Sequence, residues 1–278
     1  IRAITDGVAA DCRERVARTP SAPASGALMN ILQDIISSIT IDAPVNEVTR
    51  GIYWTAVVSR QCGLASTMIY DYELTGEKSR QEWHLQMSAV QLARGALSDD
   101  RFYASLGLAA INSLVEVDME RCLDVNAADY IARKGKGKNI AIIGHFPFVD
   151  DLRKIAGNVW VIEKRIQPGD HPEEEAAALL GQSDIVAISS TTLINHTLDN
   201  VLALCPAKSM RILLGPTTPL TSVLFDHGID VISGSIVTDP DIALLHIRQG
   251  ANFRELKRTG SVRLVTCIAE HGGNAFHA

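Results

Sequence analysis

From residue 139 to residue 248, short apolar runs alternate with segments of helical character, and this alternation constrains the fold more than any other feature of the chain. The strand-like runs fall at 139–143, 159–162, 184–188, 210–214 and 230–232. Helices fit between and after them at 150–156, 172–180, 193–204, 218–225 and 239–248. Ile140, Ala141, Ile142 and Ile143 follow one another without period-2 alternation, as expected of a strand covered on both faces of a parallel sheet. Strand and helix in strict alternation predict an α/β fold with a doubly wound parallel sheet, a Rossmann-like arrangement. In such a sheet ligands gather beyond the carboxyl ends of the strands, so these ends are expected to face one crevice.

Read in order, the ends carry Gly144, His145, Phe146 and Pro147; then Glu163; then Ser189, Ser190, Thr191 and Thr192; then Gly215, Pro216, Thr217, Thr218 and Pro219; then Ser233, Gly234 and Ser235. Glycines and hydroxyls leading into helix N-termini suit a carboxylate or phosphate. Plain N-capping by Thr192 and by Thr217 or Thr218 is the alternative. Asn195, with Thr197 just beyond, falls in the first turn after the third strand and is expected to look toward the strand ends, whereas His196 is expected to face solvent. His145 is the candidate acid–base group. Glu163 lies 19 residues after Gly144, where a dinucleotide fold places its ribose-gripping acid. The glycine-rich turn of such a fold is absent, and Phe146 and Pro147 would obstruct a pyrophosphate, which argues against NAD. Glu163 is then a surface acid or the partner that fixes the His145 tautomer. Zincin, nucleophile-elbow and P-loop motifs are missing from the sequence.

The first half has a different rhythm. Leu28, Ile31, Leu32, Ile35, Ile36 and Ile39 mark one face of a helix. Residues 46–59 read as extended with a turn at Gly51, and a third extended piece is expected at 68–72. Helices are expected at 88–97 and 100–115, the second rich in small residues (Ala104, Gly107, Ala109, Ala110) and so buried. Asn112 on that helix needs partners, either a structural hydrogen bond or a ligand. Gly63 and Ala65 belong to a small-residue stretch, 62–67, that reads as a turn able to present N–H groups to an anion, or as a tight strand connection. Asn126 caps a short helix ended by Gly135 and Gly137, and the domain boundary is placed there, giving domains 1–125 and 126–278.

A net charge of −6, with no basic block beyond the short cluster at 133–138, argues against a nucleic-acid partner. The five cysteines are scattered and form no C-x-x-C pair, which is expected of buried thiols in a reducing cytoplasm rather than of a disulfide framework or zinc knuckle. No apolar segment approaches the roughly 18 residues that span a bilayer, and the first residues lack a signal peptide's apolar core. The expectation is a cytoplasmic protein without a membrane partner, forming a homodimer through the helices at 28–39 and 100–115.

Taken together, the fragments G-H-F-P at 144–147, Glu163, S-S-T-T-L-I-N-H-T at 189–197 and G-P-T-T-P-L at 215–220 resemble the DUF364 family, a group labelled as heavy-metal chelation proteins. W-T-A-V at 54–57, C-G-L-A-S-T at 62–67 and G-L-A-A-I-N-S-L at 107–114 resemble its partner, DUF4213. The resemblance implies an enolase N-terminal-like α+β domain packed on the Rossmann-like domain, with the site between them. A transition-metal site needs three or four converging donors, and the strand ends offer only His145 and Glu163. The expected ligand is therefore a small anionic or metal-chelating organic molecule that carries any metal with it. The rival readings are an enzyme using His145 and Glu163 on a small anionic substrate, and a module binding a nucleotide or adenosyl compound.

Overall fold

A computed structural model describes residues 31–68 and 86–269. The start of the first expected helix, residues 69–72 of the expected third extended piece, and Cys12 lie outside them. Helix α1 (Ile31–Ser38) buries Ile31, Leu32 and Ile35, the inward positions of its 3.6-residue pattern. Strands β1 (Glu47–Arg50), β2 (Trp54–Val58) and β3 (Cys62–Ser66) form an antiparallel sheet in that order. The small-residue stretch expected to turn is thus a strand. Cys62, Gly63, Leu64 and Ala65 are all buried because the strand is paired to β2 along its length and packed on the helix behind it.

That helix, α3 (Arg101–Leu114), follows α2 (Ala89–Ala93), which a Ser88–Gln91 capping box starts, and a short 3-10 turn at Arg94–Leu97. The small residues serve close approach. A Cβ on Gly107 would lie 2.0 Å from the Ala96 nitrogen, and one on Gly63 would lie 2.2 Å from the Ala109 carbonyl oxygen. Most of α3 is buried within its own chain, and Ile31, Leu32 and Ile35 of α1 pack into the same core.

The second half supplies β4 (Cys122–Leu123), α4 (Ala127–Lys134), β5 (Asn139–Ile143), α5 (Val149–Arg153), β6 (Asn158–Ile162), α6 (Ala176–Leu180) and β7 (Ile185–Ser189). It continues through α7 (Thr191–Ile194), α8 (Leu198–Leu204), β8 (Met210–Leu214), α9 (Val223–Asp226), β9 (Val231–Val237), α10 (Pro240–Arg248), α11 (Phe253–Arg258) and β10 (Val262–Ile268). Seven strands form one sheet in the order β4-β10-β9-β8-β7-β5-β6. The strands from β6 to β9 run parallel, and β10 and β4 are antiparallel additions at one side.

Three expectations change here. Ser233, Gly234 and Ser235 do not end a strand, because β10 pairs with β9 from Val231 to Val237 and carries it straight through them. The helix expected at 193–204 is split into α7 and α8 at His196, whose φ is 57°. The helix expected from Thr218 begins only at Val223.

One hydrophobic cluster runs through both halves. Ile35, Ala109 and Ile111 belong to the same core as Val186, Ile188, Leu213 and Ile232, while Ile140, Ile142, Val161 and Ile212 face the other side of the sheet against α4 and α5. Full burial of each Ile or Leu contributes about 1.5–3 kcal/mol, so the shared core binds the halves strongly. Among the described residues no helix is long and apolar enough to cross a membrane.

The expectation that the cysteines are all free thiols is overturned. Cys122 and Cys267 stand opposite each other in the β4–β10 pair and form a disulfide, although 145 residues separate them. Sequence spacing alone cannot bring such distant cysteines together; the antiparallel return of β10 does. The bond ties the two ends of the large sheet's chain into a closed loop, which in the chain-entropy account stabilises by about 5 kcal/mol. Replacing both cysteines by serine is expected to lower the unfolding free energy toward that amount, measured by urea denaturation against the oxidised wild type.

Candidate functional site

The parallel strands are ordered so that β5 lies between β6 and β7, and the chain leaves β5 first to one side and then returns to the other. In open parallel sheets the expected position of a binding crevice is at such a point, here beyond the carboxyl ends of β5 and β7. Gly144 ends β5 with φ 97°, a conformation natural to glycine, and a Cβ there would sit 3.0 Å from that of Ser189 at the end of β7. Gly215, with φ 130°, packs as closely under Ser190: a Cβ would meet the Ser190 Oγ at 2.6 Å. The ends of β5, β7 and β8 therefore converge. Ser189 and Thr191 share a hydrogen bond between their hydroxyls at 2.8 Å on the rim, and Phe146 stacks on Phe148 at 5.2 Å beside His145.

His145 is half exposed, and its partner is not the one expected. Its Nδ1 lies 3.5 Å from the Asp170 Oδ2, and the Asp170 side chain is 1 % exposed against 37 % for the histidine. The loop after β6 explains the approach. It doubles back so that the His171 amide donates to the Val161 carbonyl, and Asp170 Oδ2 accepts the Gln167 amide inside the turn. Among the described residues no partner hydrogen-bonds the buried Asp170 Oδ1. Glu163, by contrast, is turned into its own loop, where Oε1 accepts the Lys164 amide at 2.8 Å. Sequence reasoning missed Asp170; the Pro168-Gly169-Asp170 turn signal that delivers it was the available clue.

The remaining candidates build a seam between the halves. Thr217 is fully buried, its Oγ1 accepts the Ser66 amide at 2.9 Å, and its carbonyl accepts Asn112 Nδ2 at 3.0 Å. Asn112 also donates to the Leu64 carbonyl at 2.7 Å, which is the structural bond weighed for it. Pro216 accepts the Ser235 hydroxyl through its carbonyl, and Thr218 is buried beside Asn112 in a narrow cleft with Gln61 and Cys62. Gly63 and Ala65 lie inside β3, so their backbone serves the sheet and the contact with α3.

Neither Thr192 nor Thr217 caps a helix: Thr192 Oγ1 donates to the Ser189 carbonyl, and Thr217 precedes α9 by several residues. Asn195 Oδ1 accepts the hydroxyl and the amide of Thr197, so both residues are spent on the turn between α7 and α8. His196, expected in solvent, is partly buried with Nε2 2.8 Å from the Ala96 carbonyl, another tie across the seam.

The strand-end residues thus divide into two groups. Gly144, His145, Phe146, Ser189, Thr191 and Gly215 lie at the ends of β5, β7 and β8, whereas Asn112 and Thr217 fasten the halves together and Pro216 bonds to Ser235 within the second half. Among the described residues no three His, Cys, Asp or Glu side chains converge as a bare metal ion would need. A wider cavity of about 300 Å³ lies elsewhere, lined by Glu116, Asp118, Arg121, Leu220, Phe225 and Cys267 among others. Thr217→Val is expected to strand the Ser66 amide and cost about 1–3 kcal/mol in thermal or chemical unfolding while leaving the crevice groups in place.

Residues 126–266 match the family DUF364, described as "Putative heavy-metal chelation", and residues 32–115 match DUF4213, which carries the same description. The chain belongs to the DUF364 family. It is 30 % identical over 193 residues to an uncharacterized protein of Methanocaldococcus jannaschii, covering 67 % of this chain and 74 % of the relative. A DUF364-family protein of unknown function from Desulfitobacterium hafniense superposes with a TM-score of 0.74 at 25 % identity, covering 87 % of this chain and 98 % of the other. A DUF364-family protein of unknown function from Pyrococcus horikoshii has the same TM-score at 21 % identity, over 87 % of this chain and 99 % of its own, and shares the fold.

Proposed function

We propose that the chain binds a small anionic or metal-chelating organic molecule at the β5–β7 crevice, and that any metal there is completed by that molecule. The observation that carries this reading is the junction of Gly144, Ser189, Ser190 and Gly215, where closely packed glycines and hydroxyls adjoin the half-exposed His145. Such a rim offers one imidazole and neutral oxygens, which suits an oxygen-rich organic anion. It does not supply the three or four protein donors of a closed transition-metal site. At this crevice, the family's chelation label would correspond to binding a chelate rather than a naked ion.

The same reading takes the first half as an enolase N-terminal-like domain and the second as a Rossmann-like one, divided near Asn126. Antiparallel strands followed by helices in the first, and the parallel order of the second, support it. It also takes the protein as cytoplasmic.

A second reading, acid–base catalysis, is favoured by the His145–Asp170 contact. A buried carboxylate beside Nδ1 would hold the proton there and turn Nε2 toward the crevice, the part first given to Glu163.

Native mass spectrometry separates these ideas from simple metal binding. Purified protein stripped with a chelator and offered ferric citrate is expected to retain the intact chelate, with His145→Ala lowering occupancy at least tenfold. Offered Ni²⁺ alone, it is expected to show no stoichiometric adduct dependent on His145. Tight one-to-one binding of the bare ion, abolished by His145→Ala, would contradict the proposal.

A further inference from the structure

The cross-strand cysteine pair stands apart from the crevice. Cys122 and Cys267 are register partners in antiparallel strands, their Cα atoms 4.2 Å apart, so the two sulfurs stay neighbours whether or not they are bonded. β4 is an edge strand of two residues, and Cys122 is only partly buried. Cys267, itself 4 % exposed, forms part of the wall of the 300 Å³ cavity together with Asp118 and Glu116, so that cavity adjoins one member of the pair. The two other described cysteines are unlike it. Cys62 and Cys205 are buried and single, and burial pushes their thiols up to about 12 and about 11, keeping both protonated at neutral pH.

Two thiolates fixed side by side form a chelate for soft ions. Thiolate sulfur selects thiophilic centres, and prior positioning of both donors removes most of the ordering cost of the second bond. We propose that the reduced Cys122–Cys267 pair is a two-sulfur site for a thiophilic metal or metalloid ion, opened by reduction of the disulfide. A dithiol reductant supplies the two electrons and two protons: it attacks one sulfur, passes through a mixed disulfide, and leaves as its own disulfide while Cys122 and Cys267 become thiols. On capture, two sulfur–metal bonds form and the two thiol protons are released. The site needs only two protein donors, so it is compatible with the lack of a three-residue cluster among the described residues. It does not rest on the crevice, since His145 takes no part.

Phenylarsine oxide tests the proposal because its arsenic takes two thiols: two sulfur–arsenic bonds form, the arsenic–oxygen bond breaks, and the oxygen leaves as water with both thiol protons. The full chain, reduced with a water-soluble phosphine and desalted without air, is expected to hold one arsenical per molecule in native mass spectrometry. The adduct is expected to shield Cys122 and Cys267 from iodoacetamide at least tenfold in peptide mapping. Cys122→Ser and Cys267→Ser are each expected to lose it, the unreduced protein to gain none, and His145→Ala to keep it. Equal labelling of either serine variant, or unshielded alkylation of both cysteines in the treated wild type, would overturn the assignment. A disulfide that resists the phosphine until the chain unfolds would do the same. The mapping on wild type decides the matter even if a serine variant fails to fold.

Discussion

The hydroxyl of a fully buried threonine holds the two halves of this molecule in register. Thr217 lies just past the end of β8, yet its Oγ1 accepts an amide from β3 and its carbonyl accepts the Asn112 side chain from α3. A buried polar group without such partners would cost more than it contributes, so this loop can adopt its path only when the first half is docked against it. Around these bonds the apolar side chains form one continuous core, with α1 and α3 completing the face of the large sheet that the second half leaves open. His227 against Asp34 at 3.0 Å, Arg101 on the Ile194 carbonyl at 2.7 Å, and Arg248 on Glu47 add polar ties along the same boundary.

This constraint decides which strand-end loops are taken up by the seam. Loops that read alike in sequence, each a run of glycine, serine and threonine after a strand, have different fates according to what covers them. The loop after β8 is committed to the seam. After β5 the half-exposed His145 stands beside the buried Asp170 carboxylate, and after β7 Ser189 and Thr191 remain partly exposed while Ser190 and Thr192 are buried. The β5 end and the cross-strand cysteine pair lie apart in the strand order, one at the middle of the parallel strands and the other at β10 and β4.

Much of the architecture was legible because it is local. The strands at 139–143 and 210–214 and the cap at Asn126 follow from apolar runs and short-range hydrogen bonds, and they stand where the sequence placed them. What failed depended on distant partners. Ser233, Gly234 and Ser235 look like a loop until β10 is laid alongside. The stretch at 62–66 looks like a turn until its glycine is seen pressed against α3. The disulfide depends on a pairing 145 residues long in sequence. In the candidate site, His145 and Gly144 were readable from the strand that ends there. Its acidic partner was misassigned because a loop that folds back brings Asp170, not the nearer Glu163, to the imidazole.

If the halves form one cooperative unit through the Thr217 seam, the Ser66 amide opens only when the whole protein does. Native-state hydrogen exchange followed across low urea concentrations measures this directly. The Ser66 amide is then expected to share the opening free energy and urea dependence of core amides such as those of Ile188 and Leu213. Exchange of Ser66 through a separate opening, several kcal/mol easier and insensitive to urea, would show that the seam is a loose contact and would contradict it.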